Sequence, residues 1–513
     1  MMGEEIEGTA EPREIELKLD CAGPDFTVLS THPLLRDVAA VPSQLLLSRY
    51  YDTPDHALRK AGLTLRIREE GERRIQTVKA GSGQVGLFDR AEWETDIAGD
   101  QPDPAAWAGT AAEPVLAEAG AEVQPLFSTL IMRRVHPLDY GESRILVTLD
   151  EGRVESADRD SSLCELELEL AHGQVGDLFA FAQSLTETLP LRLGVLTKSA
   201  RGFALLDGQG PTPAKAESVA LSPDDDAGTV FRAVARSCLH HLRINETAFL
   251  EGPRDPSALH QMRVALRRLR SALSLFSPLF EDDPRAAALA DEIKRVTEPF
   301  GTARNLDVFL HDTLPALAEH NNGDPSLDRI EERAQAAREQ AYGAVQDILN
   351  SPQWRGLILD IAGWIEAGPW SGQDAARQDG RHFAAGILDK ARRRVKKRGR
   401  GLRHLDAHTR HRVRISAKKL RYGAEFLAGL FPKPKAQERQ EAFGDALSDL
   451  QDYLGALNDI ETARHLPFAN EENGSEPAEA PSMPEVDEKR VHDLLDKAAD
   501  ARAELLDVKP FWR

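Results

Sequence analysis

The sequence predicts a multidomain α+β chain, with antiparallel strands in its first part and helices in the remainder. Three observations carry that prediction. From Glu14 to about Phe203, short runs alternate polar and apolar residues between Gly and Pro turns, which is the pattern of antiparallel strands. Past Asp226 the chain changes to long amphipathic stretches with sparse Gly and Pro, which reads as helix. Between them Asp207–Asp226 (DGQGPTPAKAESVALSPDDD) is rich in Gly, Pro and Asp and reads as a linker. The expected division is therefore residues 1–206, a linker at 207–226, and a helical domain at 227–513. Two helices are expected within the strand region, near Asp25–Ala39 and Asp177–Leu189. An acidic, Pro-rich surface insertion is expected at 470–488.

At 513 residues the chain exceeds one ordinary domain, and 41% apolar with 29% charged residues is the balance of a globular protein. No run of 18 apolar residues occurs, so no transmembrane helix is expected. Met1–Arg13 is acidic without an apolar stretch, so no secretory leader is expected. Cys21, Cys164 and Cys238 are odd in number and lack metal spacing, which argues against a disulfide framework or zinc site and for a reducing cytoplasm. A net charge of −20 disfavours a general nucleic-acid or membrane binder. The charge is unevenly spread, however. Between His382 and Glu425 there are 15 Lys/Arg and three Asp/Glu, a net of +12 in 44 residues.

In a strand, residues two apart share a face. Glu14, Glu16 and Lys18 lie opposite Ile15, Leu17 and Leu19, and Thr64, Arg66 and Arg68 lie opposite Leu63, Leu65 and Ile67. The split recurs with Glu92 and Glu94, with Thr148 and Asp150, and with Glu165, Glu167 and Glu169, while Lys79 closes a weaker run. One such strand is explained by a solvated face. The set is not, because carboxylates gather at both ends of the domain and Arg/Lys in its middle. Like charges on neighbouring strands repel unless an opposite charge lies between them. A polyphosphate among the cations and divalent metals among the carboxylates would satisfy both groups. Phosphoryl transfer makes the same demand, since it needs positioning and neutralisation more than covalent chemistry. Arg forks suit phosphate oxygens, and carboxylates suit Mg²⁺ or Mn²⁺. His32, His56, His136 and His172 read as surface or structural residues.

These residues resemble a known family. Glu14-Ile-Glu16-Leu-Lys18 is similar to the ExExK signature of CYTH proteins, the triphosphate tunnel metalloenzymes. The resemblance continues through Tyr51-Asp52-Thr53-Pro54, LTLRIR ending at Arg68, Thr77-Val78-Lys79, Arg133 after LFSTLIM, Asp150-Glu151-Gly152, Glu165-Leu-Glu167 and Lys198 to Arg201. It implies an eight-stranded antiparallel barrel with its charged faces turned into a tunnel. It puts Arg66, Arg68, Lys79, Arg133 and Lys198 on phosphate-clamping positions and Glu14, Glu16, Asp150, Glu165 and Glu167 on metal-side positions. Lys18 becomes a lining residue that assists the attacking water. Arg134 beside Arg133 leaves that position ambiguous by one residue. The family includes inorganic triphosphatases, thiamine triphosphatases and adenylyl cyclases. Inorganic triphosphate is the favoured substrate, because the only nearby candidates for a base-binding wall are Tyr50, Tyr51, Trp93 and Trp107.

The helical half repeats itself. His260-Gln-Met-Arg263-Val-Ala-Leu-Arg267-Arg268-Leu-Arg270 matches His411-Arg-Val-Arg414-Ile-Ser-Ala-Lys418-Lys419-Leu-Arg421, 151 residues apart, and a Gly follows each copy at Gly301 and Gly455. Two related bundles are expected. Helical spacing puts His260, Arg263, Arg267 and Arg270 in one stripe, opposite Met262, Leu266, Leu269 and Leu273. It does the same for His411, Arg414, Lys418 and Arg421, opposite Val413, Ala417, Leu420 and Ala424. The stripes contain no acid, unlike a salt-bridged surface helix. Arg392–Arg400 (RRRVKKRGR) reads either as part of such a face or as a disordered charge run. Asp307 and Asp459 read as caps or ion-pair partners, or as functional acids. This repeat resembles the CHAD domain, which implies that the two stripes contact inorganic polyphosphate and that the chain is a CYTH–CHAD tandem. The function expected from both resemblances is metal-dependent hydrolysis of triphosphate to diphosphate and phosphate, with polyphosphate bound by the helices. Localisation would be cytoplasmic, with association at polyphosphate granules. The alternatives are a non-catalytic polyphosphate-binding protein and a CYTH enzyme acting on a nucleoside or thiamine triphosphate. Nucleic acid is disfavoured because the basic stripes lack interleaved aromatics.

Overall fold

Alternating charged and apolar residues fold into eight antiparallel strands whose sheet closes on itself. The strands are β1 (Arg13–Cys21), β2 (Gln44–Asp52), β3 (Leu63–Glu70), β4 (Arg73–Ala80), β5 (Leu87–Asp96), β6 (Gln124–Tyr140), β7 (Ser143–Ser156) and β8 (Arg159–His172). They neighbour one another in the order β5-β4-β3-β2-β6-β7-β8-β1, and β1 pairs back onto β5 to complete the barrel. A short β9 (Leu191–Leu193) extends the pairing of β1. The computed structural model describes residues 13–21, 31–36, 38, 41–81, 85–120, 122–320, 325–463 and 488–513. Most of the expected helix at 25–39 and the expected insertion at 470–488, save Glu488, lie outside these residues. The helix expected near Asp177–Leu189 is α1 (Val175–Thr186).

Closure gives each strand an inner and an outer face. The outer apolar set is covered by the chain itself. Leu65, Ile67 and Val78 pack with Leu58 of a short helix at Ala57–Lys60 and with Trp107, Ala112 and Leu116. Inside, one stretch of the lumen is filled by Tyr50, Phe127, Ile131, Val154 and Leu163, with Phe203 of α2 (Lys198–Leu206) packed against them. Gly202 makes this fit, since a Cβ there would fall 2.0 Å from the Phe127 ring. Gly152 of the Asp150-Glu151-Gly152 motif has a similar reason, because a Cβ would meet the Leu130 carbonyl oxygen of β6 at 2.0 Å. The register Asp20↔Glu165 also sets Cys21 opposite Cys164, so thiols remote in sequence are cross-strand neighbours.

The chain separates into two compact units. The first comprises Met1–Pro213 with Leu250–Pro253 and Asn350–Ala367, and the second comprises the remaining segments. The barrel unit thus includes a helix that sequence order assigns to the helical region. That helix (Pro352–Ala367) packs on α1, and Gly363 lies so close that a Cβ would sit 3.1 Å from Phe179.

The second unit is helical. Those of its helices that matter for function are α3 (Pro256–Leu275), α4 (Arg285–Val296), α5 (Glu298–Val308), α6 (Gly380–Arg398), α7 (Ala407–Leu427) and α8 (Pro434–Ala463). Each basic helix starts at an aspartate cap. Asp255 accepts from the Ser257 amide, Asp379 from His382 and Asp406 from Thr409, each cap contributing about 1 kcal/mol. The charge run at 392–400 is not a disordered segment. Phe383, Ile387, Leu388, Ala391 and Val395 give α6 a buried face as far as Arg398, with the cations on its other side. Among the described residues no helix is long and apolar enough to cross a membrane.

Candidate active site in the barrel and anion-binding face in the helices

The inner faces of β1, β6, β7 and β8 bring together three cations and three carboxylates. Cross-strand register sets Lys18 opposite Glu167, Asp150 opposite Glu165, and Arg133 opposite Asp150. Lys18 Nζ donates to Glu165 at 3.0 Å and makes a short contact to Glu167. Lys198, at the start of α2, lies 2.7 Å from Asp150 and 2.8 Å from Glu167 and makes a short contact to Glu165. Arg133 forks onto Asp150 at 2.8 and 2.5 Å and reaches Glu167 at 3.0 Å. Asp150 and Glu165 are fully buried, and Lys18 is 2% exposed.

Burial alone would strip these groups of charge, and their partners reverse that. Burial pulls Lys18 and Lys198 down, but neighbouring carboxylates (Glu165 and Glu167 for Lys18, Asp150 and Glu165 for Lys198) hold both above the ordinary lysine value. Burial pushes Asp150 and Glu167 up, but Lys198 and Arg133 around one and Lys18 and Lys198 around the other hold them below the usual carboxylate range. Glu165 and Glu167 thus favour the charged form of Lys18.

Asp150, Glu165 and Glu167 also each offer an oxygen, all within 4.8 Å of one another. Oε2 of Glu165 is buried with no hydrogen-bond partner among the described residues. A buried oxygen left over in a trio of hard carboxylates fits a divalent cation. Such an ion would take over charge that Lys18 and Lys198 neutralise in this arrangement.

Glu14 and Glu16 stand apart from that trio. Lys79 Nζ bonds Glu14 at 2.8 Å and Glu92 at 2.9 Å, and Arg90 bonds Glu16 at 2.6 Å. Glu169, opposite Glu16, is pushed above the ordinary value by burial and by Glu14, Glu16 and Glu92. Arg66 lies 3.7 Å from Glu92, and Arg68 lies 3.3 Å from Glu94. The metal-side positions implied by the resemblance thus separate into two carboxylate groups. Arg133 is the inward residue of its pair, while Arg134 is near Glu151 at 3.9 Å on the other face. Arg90 went unread in the sequence, although it has the parity of Glu92 and Glu94.

In the helical unit the two stripes converge. Lys418 on α7 lies near enough to His260 on α3 to lower its proton affinity, and Arg267 on α3 does the same to Lys418. Burial, then Arg304, Arg267, Arg263 and Lys418, hold His260 below its ordinary value, so it is neutral at pH 7. Burial and Arg414 and Arg267 push Lys418 down to about 8, and burial and Arg267 push Arg263 down to about 10. Arg263, Arg267 and Arg270 line a cavity of about 720 Å³ with Lys294 and Arg295, which sequence reading missed, and with Asp291 and Glu298. Of the repeated glycines, Gly301 packs closely on a stripe residue, since a Cβ there would lie 3.0 Å from the Arg263 guanidinium, whereas one at Gly455 would meet Arg414 only at an ordinary 4.0 Å. His411 contacts Asn458 at 3.2 Å. The stripes are not wholly free of acid, because Arg421 pairs with Glu425 at 3.3 Å. Asp307 is structural in its contacts, accepting from Arg338 at 2.7 Å and from Tyr342 at 3.0 Å, whereas Asp459 acts on Lys418.

Residues 12–203 match the CYTH domain and residues 233–466 match the CHAD domain. The chain joins a CYTH domain to a CHAD domain. It is 31% identical over 196 residues to an inorganic triphosphatase of Haemophilus influenzae, covering 38% of this chain and 55% of that protein, so the chain spans about half the length of this relative. Among solved structures, the CHAD domain from the plant Ricinus communis is 32% identical and covers 58% of this chain and 98% of that one, with a TM-score of 0.45. A Hippeastrum adenylyl cyclase described as having a dominant triphosphatase activity is 18% identical, covering 38% and 97%, with a TM-score of 0.32.

Proposed function

We propose that the CYTH barrel hydrolyses inorganic triphosphate to diphosphate and phosphate with Mg²⁺ or Mn²⁺, and that the CHAD domain binds inorganic polyphosphate. The observation that carries the first part is the buried constellation of Lys18, Arg133, Asp150, Glu165, Glu167 and Lys198 within a closed barrel. Buried ion pairs cost more in desolvation than they return in stability, so such a concentration points to use rather than to folding. Arg66, Arg68, Lys79, Arg133 and Lys198 orient and neutralise phosphate oxygens by forked and point-charge contacts. Lys18, holding its proton, offsets charge that develops on the reacting phosphate. Asp150, Glu165 and Glu167 would hold a divalent cation, which would supply neutralisation of phosphate charge and activation of water.

Inorganic rather than base-bearing triphosphate is favoured by where the aromatics go. Tyr51, Trp93 and Trp107 pack into the outer apolar cluster, and Tyr50 stacks on Phe127 at 4.7 Å. Polyphosphate binding by His260, Arg263, Arg267, Arg270, His411, Arg414, Lys418 and Arg421 is supported by the convergence of the two stripes. The test is phosphate release from triphosphate by the full chain. Glu14→Ala and Arg66→Ala should each lose roughly 10²–10³-fold in rate while remaining folded. Wild-type rates in both variants would defeat the proposal.

A further inference from the structure

The internal repeat provides a control on which cations the fold itself requires. The offset that sets His260 on His411 also sets Arg268 on Lys419 and Ser274 on Glu425. In one copy the cation is neutralised within the protein. Arg268 is buried, donates to Glu425 at 2.8 Å, and lies 4.7 Å from the centroid of the Phe426 ring. In the other copy the acid is replaced by a hydroxyl. Lys419 Nζ donates to Ser274 Oγ at 2.6 Å, and no carboxylate pairs with it among the described residues.

Further cations gather around Lys419. Lys390, Arg394 and Arg398 succeed one another at four-residue spacing along α6, so they share one helix face. With Lys419, Ser274, Ser277 and Ser416 they line a cleft of about 130 Å³. Arg398 donates to Ser416 Oγ at 2.8 Å. Lys390 and Arg394 make no ion pair among the described residues. The neighbouring acid Asp389 is taken by Trp512 and Arg513. Burial, Arg394 and Arg398 depress Lys419 below its ordinary value, and burial, Arg412 and Arg394 do the same to Arg398. Four cations lining a hydroxyl-bearing cleft repel one another, and the Arg268 copy shows how the same framework relieves that repulsion with a carboxylate.

We propose that this cleft is a second anion site of the helical unit, taking a single tetrahedral phosphate group, either free orthophosphate or the end of a polyphosphate chain. The cleft has room for one tetrahedral phosphate group among these side chains. Arg394 and Arg398 supply guanidinium forks, Lys390 and Lys419 supply point charge, and Ser274, whose oxygen accepts from Lys419, supplies a hydroxyl donor. The site shares no residue with the His–Arg stripes and does not depend on the triphosphatase proposal.

The experiment titrates the full chain with orthophosphate, and separately with long-chain polyphosphate, by calorimetry. Ser274→Glu is the sharpest variant, because it installs the carboxylate that the other copy already has and should leave the melting temperature unchanged or raised. Ser274→Glu and the exposed Arg394→Gln should each weaken orthophosphate binding by about 10–100-fold, the loss of a charged hydrogen bond, while Arg254→Gln, an exposed residue paired with Glu339 outside both the cleft and the stripes, leaves it unchanged. If orthophosphate does not bind but both variants weaken polyphosphate in proportion to the concentration of chain ends, the terminal phosphate is the ligand. Wild-type binding of both anions by both variants would overturn the proposal, as would an equal loss of orthophosphate binding in Arg254→Gln.

Discussion

Within the barrel, Lys18, Lys198 and Arg133 are each bonded to at least two of Asp150, Glu165 and Glu167. On the helical face, His260, Arg263, Arg267 and Arg414 make no ion pair among the described residues, and burial with neighbouring arginines lowers the proton affinity of His260 and Arg263. The contrast shows what each region can accept. A ligand entering the barrel must exchange with existing ion pairs, which a metal–phosphate pair does charge for charge. A polyphosphate on the helices, as proposed, would displace no ion pair of His260, Arg263, Arg267 or Arg414 among the described residues.

Removing one cation from the barrel should break its balance most severely. Lys198→Met leaves buried carboxylates uncompensated and should cost about 3–5 kcal/mol in urea unfolding. Millimolar Mg²⁺ or Mn²⁺ should restore part of that loss, and more than it adds to wild type. A destabilised variant indifferent to metal would argue that the carboxylates exist for Lys198 alone.

Salt should separate the two regions next. Polyphosphate affinity should fall roughly 10²–10³-fold between about 50 and 200 mM salt if several stripe cations release counterions. Triphosphate turnover should change by a far smaller factor, because buried pairs are weakly screened. Equal salt dependence would erase the distinction drawn between the regions.

The smallest effect is on pH. Lys418 is pushed down to about 8 in the free protein, and a bound polyanion would raise it. The affinity it contributes is therefore complete below about 8 and is lost as pH rises through the higher value of the bound state. Lys418→Arg should flatten polyphosphate affinity between pH 8 and the ordinary lysine value of 10.5. A slope unchanged by that substitution would assign the titration elsewhere.

Much of the barrel site is legible in the sequence because a period of two fixes which residues share a strand face. Alternation alone groups Glu16 with Lys18 and Glu165 with Glu167, and sets Asp150 apart from its apolar neighbours; each of these five is buried in the folded chain. Arg90 escaped because it directly follows Asp89, and charges on both parities blur the alternation. The division of the carboxylates into an Asp150–Glu165–Glu167 group and a Glu14–Glu16–Glu92 group depends on pairing between distant strands, which parity cannot supply. Register with Asp150 is likewise what distinguishes Arg133 from Arg134. The helix at Pro352–Ala367 shows the same limit, since its apolar residues say that it is buried and not that α1 is its neighbour. In the helices, three-residue and four-residue spacing revealed the stripes. The unequal treatment of Arg268 and Lys419 rests on Glu425 and Ser274, contributed by the facing helix.

The most direct test of the central claim, that the buried carboxylates serve a metal and a phosphate ligand together, is Mn²⁺ titration of the full chain followed by electron paramagnetic resonance, with and without tripolyphosphate. Wild type should bind Mn²⁺ more tightly when tripolyphosphate is present, and Glu165→Gln should lose that enhancement. Identical titration curves for the two proteins would contradict the account.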